Sequence, residues 1–260
     1  MPSVRDQAVC LRVWDWSETS QTVSLFAREL GVVRAIAKGA RRADARFSGG
    51  LEVTTRGEMV AIMRSGERAG DGLVTLTAWD LQEIFPAVRA SLSSFHGAMY
   101  MVDLVHHFVR DSDPHPELFE ALVKGLRSLG GADARAVLEF QWQTLLHTGF
   151  RPEFAVPDAG RGSSYAFSPE LGRLVTPSES DAGSRGERVW RVRAETVELL
   201  RALPRENAGA GSPDGAALGG FSDDVIGRAN RLLAWYVRHV LGDWPASVHT
   251  ALPGVARVEP

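Results

Sequence analysis

Residues 31–50 have the sequence GVVRAIAKGARRADARFSGG, which predicts a β-strand that runs into a basic loop punctuated by glycine. Between Arg28 and Arg46 the chain has six basic residues and two acidic ones, a local charge of +4, whereas its formal net charge is −3. A local basic stripe attracts a polyanion to one face of a mildly acidic protein. Nucleic acid is therefore the first ligand to consider.

The strand in this stretch belongs to a series of five that the first eighty residues predict. The predicted strands are Ala8–Trp14, Thr22–Ala27, Val32–Ala37, Leu51–Met63 and Leu73–Ile84. Five short strands with glycine-rich turns fit a small closed barrel better than an open sheet, whose edges would need covering. We therefore expect a five-stranded OB-type β-barrel at the N-terminus.

Beyond residue 85 the apolar residues recur at helical spacing. The predicted helices are Leu92–Val109, Pro116–Leu129, a helix from an N-cap at Asp133 to Gly149, Ala194–Leu203, and Ser222–Gly242. Residues 151–190 are rich in Gly, Pro, Ser and charge, and they predict an irregular insertion with a short hairpin at 165–175. Residues 207–220 predict a mobile loop. We therefore expect an α+β protein with an OB-type domain at 1–80 and a helical domain at 81–260.

Composition excludes several protein classes. The 260 residues are 44% hydrophobic, which is enough for ordinary packed cores. The single cysteine, Cys10, excludes an intrachain disulfide framework and a multi-cysteine zinc site. No run approaches the roughly 20 apolar residues of a membrane span, and the N-terminus lacks the apolar stretch of a signal peptide. We expect a cytoplasmic protein that does not bind membranes.

One string is more specific than these patterns. AIAKGARR at residues 35–42 is followed by Arg46-Phe47 and by Gly49-Gly50-Leu51. A generic barrel does not require this combination, which resembles the opening of RecO, a family of bacterial recombination mediators. Later landmarks follow in the family's order, and the resemblance spans nearly the whole chain. These landmarks are Phe85-Pro86, Pro116–Phe119, Gly149-Phe150 and Phe167–Glu170.

The resemblance implies an OB barrel joined to a helical domain, with no enzymatic turnover and no cofactor. Proteins of this family bind single- and double-stranded DNA, anneal complementary strands coated by single-strand-binding protein, and act with RecR to load RecA. The family's DNA-contacting positions would correspond to Arg34 and Lys38, with Arg41, Arg42 and Arg46 in the adjoining loop. We further expect Phe47 to stack on bases.

The resemblance also implies that the helical domain captures the acidic, Phe-ending C-terminal tail of single-strand-binding protein, which requires an apolar pocket beside a cation. Four arginines flank apolar helices equally well, so the choice among them stays open. They are Arg127, Arg135, Arg228 and Arg231.

One departure from the family concerns zinc. Many members have two C-x-x-C pairs in the insertion, where this chain has Ala155–Asp158 and Val175–Ser178 without cysteine. We therefore expect no structural zinc there, and the insertion to be mobile or held by packing. The packing residues would be Phe154, Tyr165, Phe167 and Leu174.

Two alternatives remain open at the level of sequence. The first is an OB-type protein-interaction scaffold whose DNA contact a partner supplies. The second is a metal-dependent hydrolase, because imidazole and carboxylate side chains are good metal ligands. The candidate ligands are Asp103, His106, His107, Asp111, Asp113 and His115. The adjacent His106 and His107 point about 100° apart on a helix, which disfavours a shared ion.

Overall fold

A computed structural model describes residues 3–42, 47–62, 72–155, 162–176, 189–204 and 218–257. The chain divides into two compact units, Met1–Gly131 and Ala132–Pro260. The sequence analysis placed a boundary between residues 80 and 81, where strand periodicity gives way to helical periodicity. The first compact unit runs further because it includes three helices beyond the sheet, and the division into folding domains stays a prediction.

The first unit contains a closed five-stranded barrel. Its strands, together with a two-residue strand β4, are β1 (Ser3–Asp15), β2 (Gln21–Ala27), β3 (Gly31–Ala37), β4 (Phe47–Ser48), β5 (Arg56–Ile62) and β6 (Val74–Glu83). Antiparallel pairing joins β3 to β2, β2 to β1, β1 to β5 and β5 to β6. Parallel pairing of β3 with β6 closes the ring. The predicted OB-type barrel is confirmed.

Alternate residues of each strand point into the barrel and exclude water. The core includes Ala8 and Cys10 of β1, Leu25 of β2, Val33 and Ala35 of β3, Met59 of β5 and Trp79 of β6. Burial raises the pKa of the Cys10 thiol to about 12, so this cysteine stays neutral at physiological pH. It therefore acts as a small apolar core residue, as the sequence indicated.

Strand β1 has a bulge that determines which side chains face outward. Cys10 pairs with Leu25 and Arg12 pairs with Ser24, so Leu11 is an extra residue on β1. In a regular strand Arg12 would follow Cys10 into the core-facing register, because residues two positions apart point to the same face. The extra residue instead places both Arg12 and Trp14 on the outer surface of the barrel.

Three helices follow the barrel in the same unit. They are α1 (Pro86–Ala90), α2 (Leu92–Phe108) and α3 (Pro116–Ser128). The Ser91 hydroxyl caps α2 by accepting a hydrogen bond from the backbone N–H of Ser94 at 3.0 Å. Pro116 occupies the first turn of α3, where no backbone N–H is needed. The predicted starts of α2 and α3 are confirmed.

The second unit combines helices with a small antiparallel sheet. Its elements are α4 (Asp133–His147), β7 (Ser164–Ser168), β8 (Arg173–Val175), β9 (Trp190–Arg193), α5 (Ala194–Ala202), α6 (Asp223–Leu241) and α7 (Val248–Ala251). The predicted hairpin is formed by β7 and β8. The cap of α4 is Ala132 rather than Asp133, and no side chain bonds there. Asp133 instead lies in the first turn, where its charge favours the helix dipole.

Aromatic rings hold the insertion to the helices. Phe167 stacks between Phe154 and Trp190, with centroid distances of 5.4 and 5.8 Å, and its edge meets Tyr236 at 5.6 Å. Phe154 and Phe167 are buried as predicted, and so is Leu174, whereas Tyr165 is half-buried. Most of the two stretches that replace the cysteine pairs, and most of the predicted mobile loop at 207–220, lie outside the described residues.

Within the described part of the chain, no helix combines the length and the apolar character needed to cross a membrane.

Candidate nucleic-acid interface

The outer surface of strands β1, β2 and β3 is organised in rows of paired residues. One row is Val9, Phe26 and Val32; the next is Arg12, Ser24 and Arg34; the third is Trp14, Thr22 and Ile36. The first row is buried beneath the helices, and we call it the covered face. We call the other two rows, together with Lys38 just beyond β3, the open face.

Arg34 and Lys38 both point away from the barrel core. They are exposed and alternate with Ala35 and Ala37, which are fully buried. Ile36 lies between them on the same face and is half-buried. Two long cationic side chains with an apolar one between them thus lie on β3 and directly after its end, an arrangement suited to gripping a phosphate backbone.

Arg34 has a carboxylate neighbour from the loop between α2 and α3. Its Nε lies 3.2 Å from Asp111 Oδ2, and the two side chains are 57% and 30% exposed. That loop approaches β3 closely: the Ser112 N–H donates to the Val32 carbonyl, and Gly31 has φ +73°. A Cβ at Gly31 would lie 2.4 Å from the carbonyl oxygen of Asp113, so only glycine permits this contact.

The basic loop after β3 is tied to the turn between β1 and β2. Arg41 forms an ion pair with Asp15, and the Gly39 N–H donates to the Ser20 hydroxyl at 3.2 Å. Lys38 and Arg42 are exposed and have no ion-pair partner among the described residues. An exposed ion pair contributes only about 0–1 kcal/mol, so a phosphate can compete for Arg34 and Arg41.

Two more residues, Phe47 and Arg46, were predicted to bind DNA. Phe47 is only 9% exposed and belongs to the barrel core, because β4 pairs with β6 next to Trp79. The prediction that Phe47 stacks on bases is therefore wrong for this structure. Arg46 lies outside the described residues.

Three residues on or beside the open face were not selected by the sequence analysis. Trp14 is 46% exposed, and Trp16, at the start of the β1–β2 turn, is 61% exposed. Arg12 lies in the same row as Arg34. The signal that identifies Arg12 and Trp14 is the bulge at Leu11, which depends on how β1 pairs with β2 and is not visible in a local pattern.

Behind the open face, Arg12 is anchored by a buried carboxylate. Its Nη2 donates to Asp103 Oδ1 at 2.6 Å, and His107 Nε2 lies 3.6 Å from the same oxygen. Partial burial, followed by the charge of Arg12, holds the pKa of His106 below its ordinary value. Among the described residues, no group of three or more His, Cys, Asp or Glu side chains is placed to hold a metal ion.

In the second unit a small pocket combines aromatic walls with a cation. Its volume is about 230 Å³, and its lining includes Pro169, Glu170, Trp190, Trp235 and Arg238. The Arg238 guanidinium lies 4.9 Å from the ring centroid of Trp235 and 5.3 Å from that of Trp244. Cation–π contacts on two sides fix this side chain at the pocket.

The four arginines considered for tail capture are mostly engaged elsewhere. Arg127 donates two bonds of 2.7 Å to Glu83, and Arg135 donates to the carbonyls of Leu218 and Phe221. Arg228 pairs with Asp224 and Glu195. Arg231 is exposed and does not line the pocket.

Two models of the same protein family match consecutive parts of the chain. Residues 1–85 match the family described as Recombination protein O N terminal, and residues 89–249 match Recombination protein O C terminal. The chain is 30% identical to the DNA repair protein RecO of Myxococcus xanthus over 242 residues, which are 91% of this chain and 92% of that protein.

Two further relatives align over shorter stretches. The DNA repair protein RecO of Rhodopirellula baltica is 34% identical over 147 residues, which are 56% of this chain and 53% of that protein. That of Anaeromyxobacter dehalogenans strain 2CP-C is 36% identical over 154 residues, or 58% and 59%. In these two comparisons the chain spans little more than half the length of the relative.

Proposed function

This chain belongs to the RecO family of DNA repair proteins, and we propose that it is a non-enzymatic recombination mediator that binds DNA, anneals complementary single strands and helps to load recombinase. Its proposed partners are single- and double-stranded DNA, a RecR-type protein and the C-terminal tail of single-strand-binding protein. The proposed DNA-binding residues are Arg34, Lys38, Arg41 and Arg42, together with Arg46.

The observation that supports this proposal best is the common orientation of Arg34 and Lys38. Arg34 is exposed on the outer face of β3, Lys38 is exposed directly after the end of that strand, and the loop with Arg41 and Arg42 follows. The acidic neighbours of Arg34 and Arg41 are themselves partly or largely exposed, so these cations are not locked in a buried pair. Charge at this face is thus available to a polyanion although the whole chain is mildly acidic.

Strand annealing tests the proposal. Complementary oligonucleotides coated with single-strand-binding protein are mixed with the purified chain, and duplex formation is followed by energy transfer between dyes. We expect the chain alone to accelerate annealing, and R34E/K38E to lose most of this effect. The matched control is R5E/R201E, which has the same change in net charge at exposed positions that are not part of the open face.

The outcomes separate the proposal from its alternative. Annealing that appears only when a RecR-type protein is added would favour an interaction scaffold whose partner supplies the DNA contact. Annealing that is equally fast in R34E/K38E and in the chain without substitutions would remove Arg34 and Lys38 from the proposed site.

We propose further that the pocket beside Arg238 receives the terminal residue of the single-strand-binding protein tail. The aromatic walls suit a phenylalanine ring, and the fixed guanidinium suits a carboxylate. A labelled peptide with the tail sequence should bind the chain, and R238E should weaken binding at least about tenfold, because one charge-assisted contact is worth roughly 1.5–3 kcal/mol. The control is R231E, which should bind the peptide as tightly as the unsubstituted chain does.

A further inference from the structure

We propose that Trp14 and Trp16 stack on unpaired bases and give the open face a preference for single-stranded over double-stranded DNA. This inference rests on the proposed function, since it assumes that the open face binds DNA. It assigns to two tryptophans the stacking role that the buried Phe47 cannot fill.

The first argument is exposure. Tryptophan is usually well buried, yet Trp14 and Trp16 are 46% and 61% exposed. Among the described residues, neither indole has a ring contact or a hydrogen bond, whereas Trp79, Trp142, Trp190 and Trp235 are all buried. Two indoles that are two residues apart in the chain and open to solvent offer apolar surface that an external planar group can cover.

The second argument is the order of rows on the open face. Ile36 lies on β3 between the cationic residues Arg34 and Lys38, and its row continues through Thr22 to Trp14. Strand geometry puts the Cα atoms of Trp14 and Arg34 on the order of 12 Å apart, two strands across and two residues along. A single segment of DNA can therefore place phosphates at the cations and a base at the indole.

The third argument is that both tryptophans are positioned by backbone structure. Trp14 lies within the β1–β2 ladder opposite Thr22. The Trp16 N–H donates to the Ser20 carbonyl at 3.0 Å, which closes the turn, and Ser20 also accepts from Gly39 in the basic loop. The turn that presents Trp16 is thus linked to the loop that presents Arg41 and Arg42.

These arguments predict that the open face prefers single-stranded to double-stranded DNA. In a duplex both faces of each base are already stacked, so an indole cannot stack on a base without first unstacking it. In a single strand the base faces are free, and stacking on an aromatic side chain is sequence-tolerant. The cations can therefore contact the phosphates of either substrate, whereas the tryptophans can stack only on the bases of the single strand.

Fluorescence anisotropy of the full chain tests this assignment with a labelled oligo-dT probe and a labelled duplex of equal length. We expect W14A/W16A to weaken binding of oligo-dT about tenfold while duplex binding changes less than about twofold. W14F/W16F should retain most of the oligo-dT affinity, because it keeps two aromatic faces. F95A is the matched control, since Phe95 is also an exposed aromatic residue of the first unit but lies on α2.

The outcomes are distinguishable. Equal losses on both probes, or no loss on either, would overturn the stacking role of the tryptophans and leave the cationic site intact. Failure of the unsubstituted chain to bind either probe would instead contradict the proposed function. Thermal unfolding shows whether each variant is folded. If W14A/W16A is unfolded, the affinities of W14F/W16F for the two probes test the inference instead.

Discussion

The covered face and the open face are two ends of the same three strands, and their outward residues differ in kind. The outward residues of the covered face are Val9, Phe26 and Val32, all buried, and Phe26 meets Phe119 of α3 at 5.8 Å. On the open face the outward row with Arg34 is polar, and the next row ends in an exposed Trp14. The difference teaches that fully buried outward residues on this barrel mark where helices pack, whereas exposed outward cations beside an exposed indole mark the surface that we propose as the DNA-binding site.

Removing the ring of Phe26 breaks the covered face and gives the largest expected effect. Phe26→Ala should lower the free energy of unfolding by about 3–5 kcal/mol, because it leaves a cavity beneath α3. Denaturant unfolding measures this loss. Thr22→Ala, at an outward position of β2 on the open face, should cost less than about 0.5 kcal/mol. Similar losses at the two positions would contradict the division into two faces.

Removing Arg12 tests the boundary between the faces. Arg12→Met should lower the free energy of unfolding by roughly 1–3 kcal/mol, because the buried Asp103 carboxylate loses its guanidinium partner. A double-mutant cycle with Asp103→Asn measures the coupling. Additive effects of the two substitutions would show that the pair does not anchor the open face to α2.

The lowered pKa of His106 predicts a smaller, pH-dependent effect. Because the folded-state pKa lies below the unfolded value of about 6.5, protonation favours the unfolded chain. Stability is full above the unfolded pKa and is lost as the pH falls through it towards the folded pKa. Between pH 7.5 and 5, unfolding should therefore show a steeper loss for the unsubstituted chain than for His106→Gln. Parallel curves for the two proteins would contradict the shift.

The smallest expected effect concerns the ion pair of Arg34 on the open face and its influence on DNA affinity. Asp111→Asn releases Arg34 from its ion pair and should tighten binding of single-stranded DNA about twofold at low salt, since an exposed pair is worth little. Asp113→Asn is the control, because Asp113 lies in the same loop but contacts His115 instead. Anisotropy titrations compare the two, and equal tightening would indicate a general charge effect.

Local sequence patterns predicted most of the fold. The five barrel strands, the first turn of α3 at Pro116 and the start of α6 at Ser222-Asp223 all follow from residue type and spacing. The Ser222 hydroxyl accepts from the Val225 N–H at 3.5 Å, and α6 ends at Gly242 with φ +81°. Such signals are local, so a single sequence is sufficient to find them.

The features that were missed depend on distant parts of the chain. The bulge at Leu11 exists because of how β1 pairs with β2, and it decides that Trp14 faces outward. Phe47 is buried because β4 joins β6, about thirty residues later in the sequence. The carboxylate partner of Arg34 comes from the loop after α2, and Arg238 was missed because its pocket requires β9 and α6 together. No local window includes both members of any of these pairs.

The salt dependence of single-stranded DNA binding tests the central claim most directly. Each phosphate contact adds about 0.7 to the slope of log affinity against log salt concentration for a single strand. For R34E/K38E we predict an affinity loss of at least about 30-fold at low salt and a slope smaller by about 1.4, with R5E/R201E close to the unsubstituted chain. Unchanged affinity and slope in R34E/K38E would contradict the account.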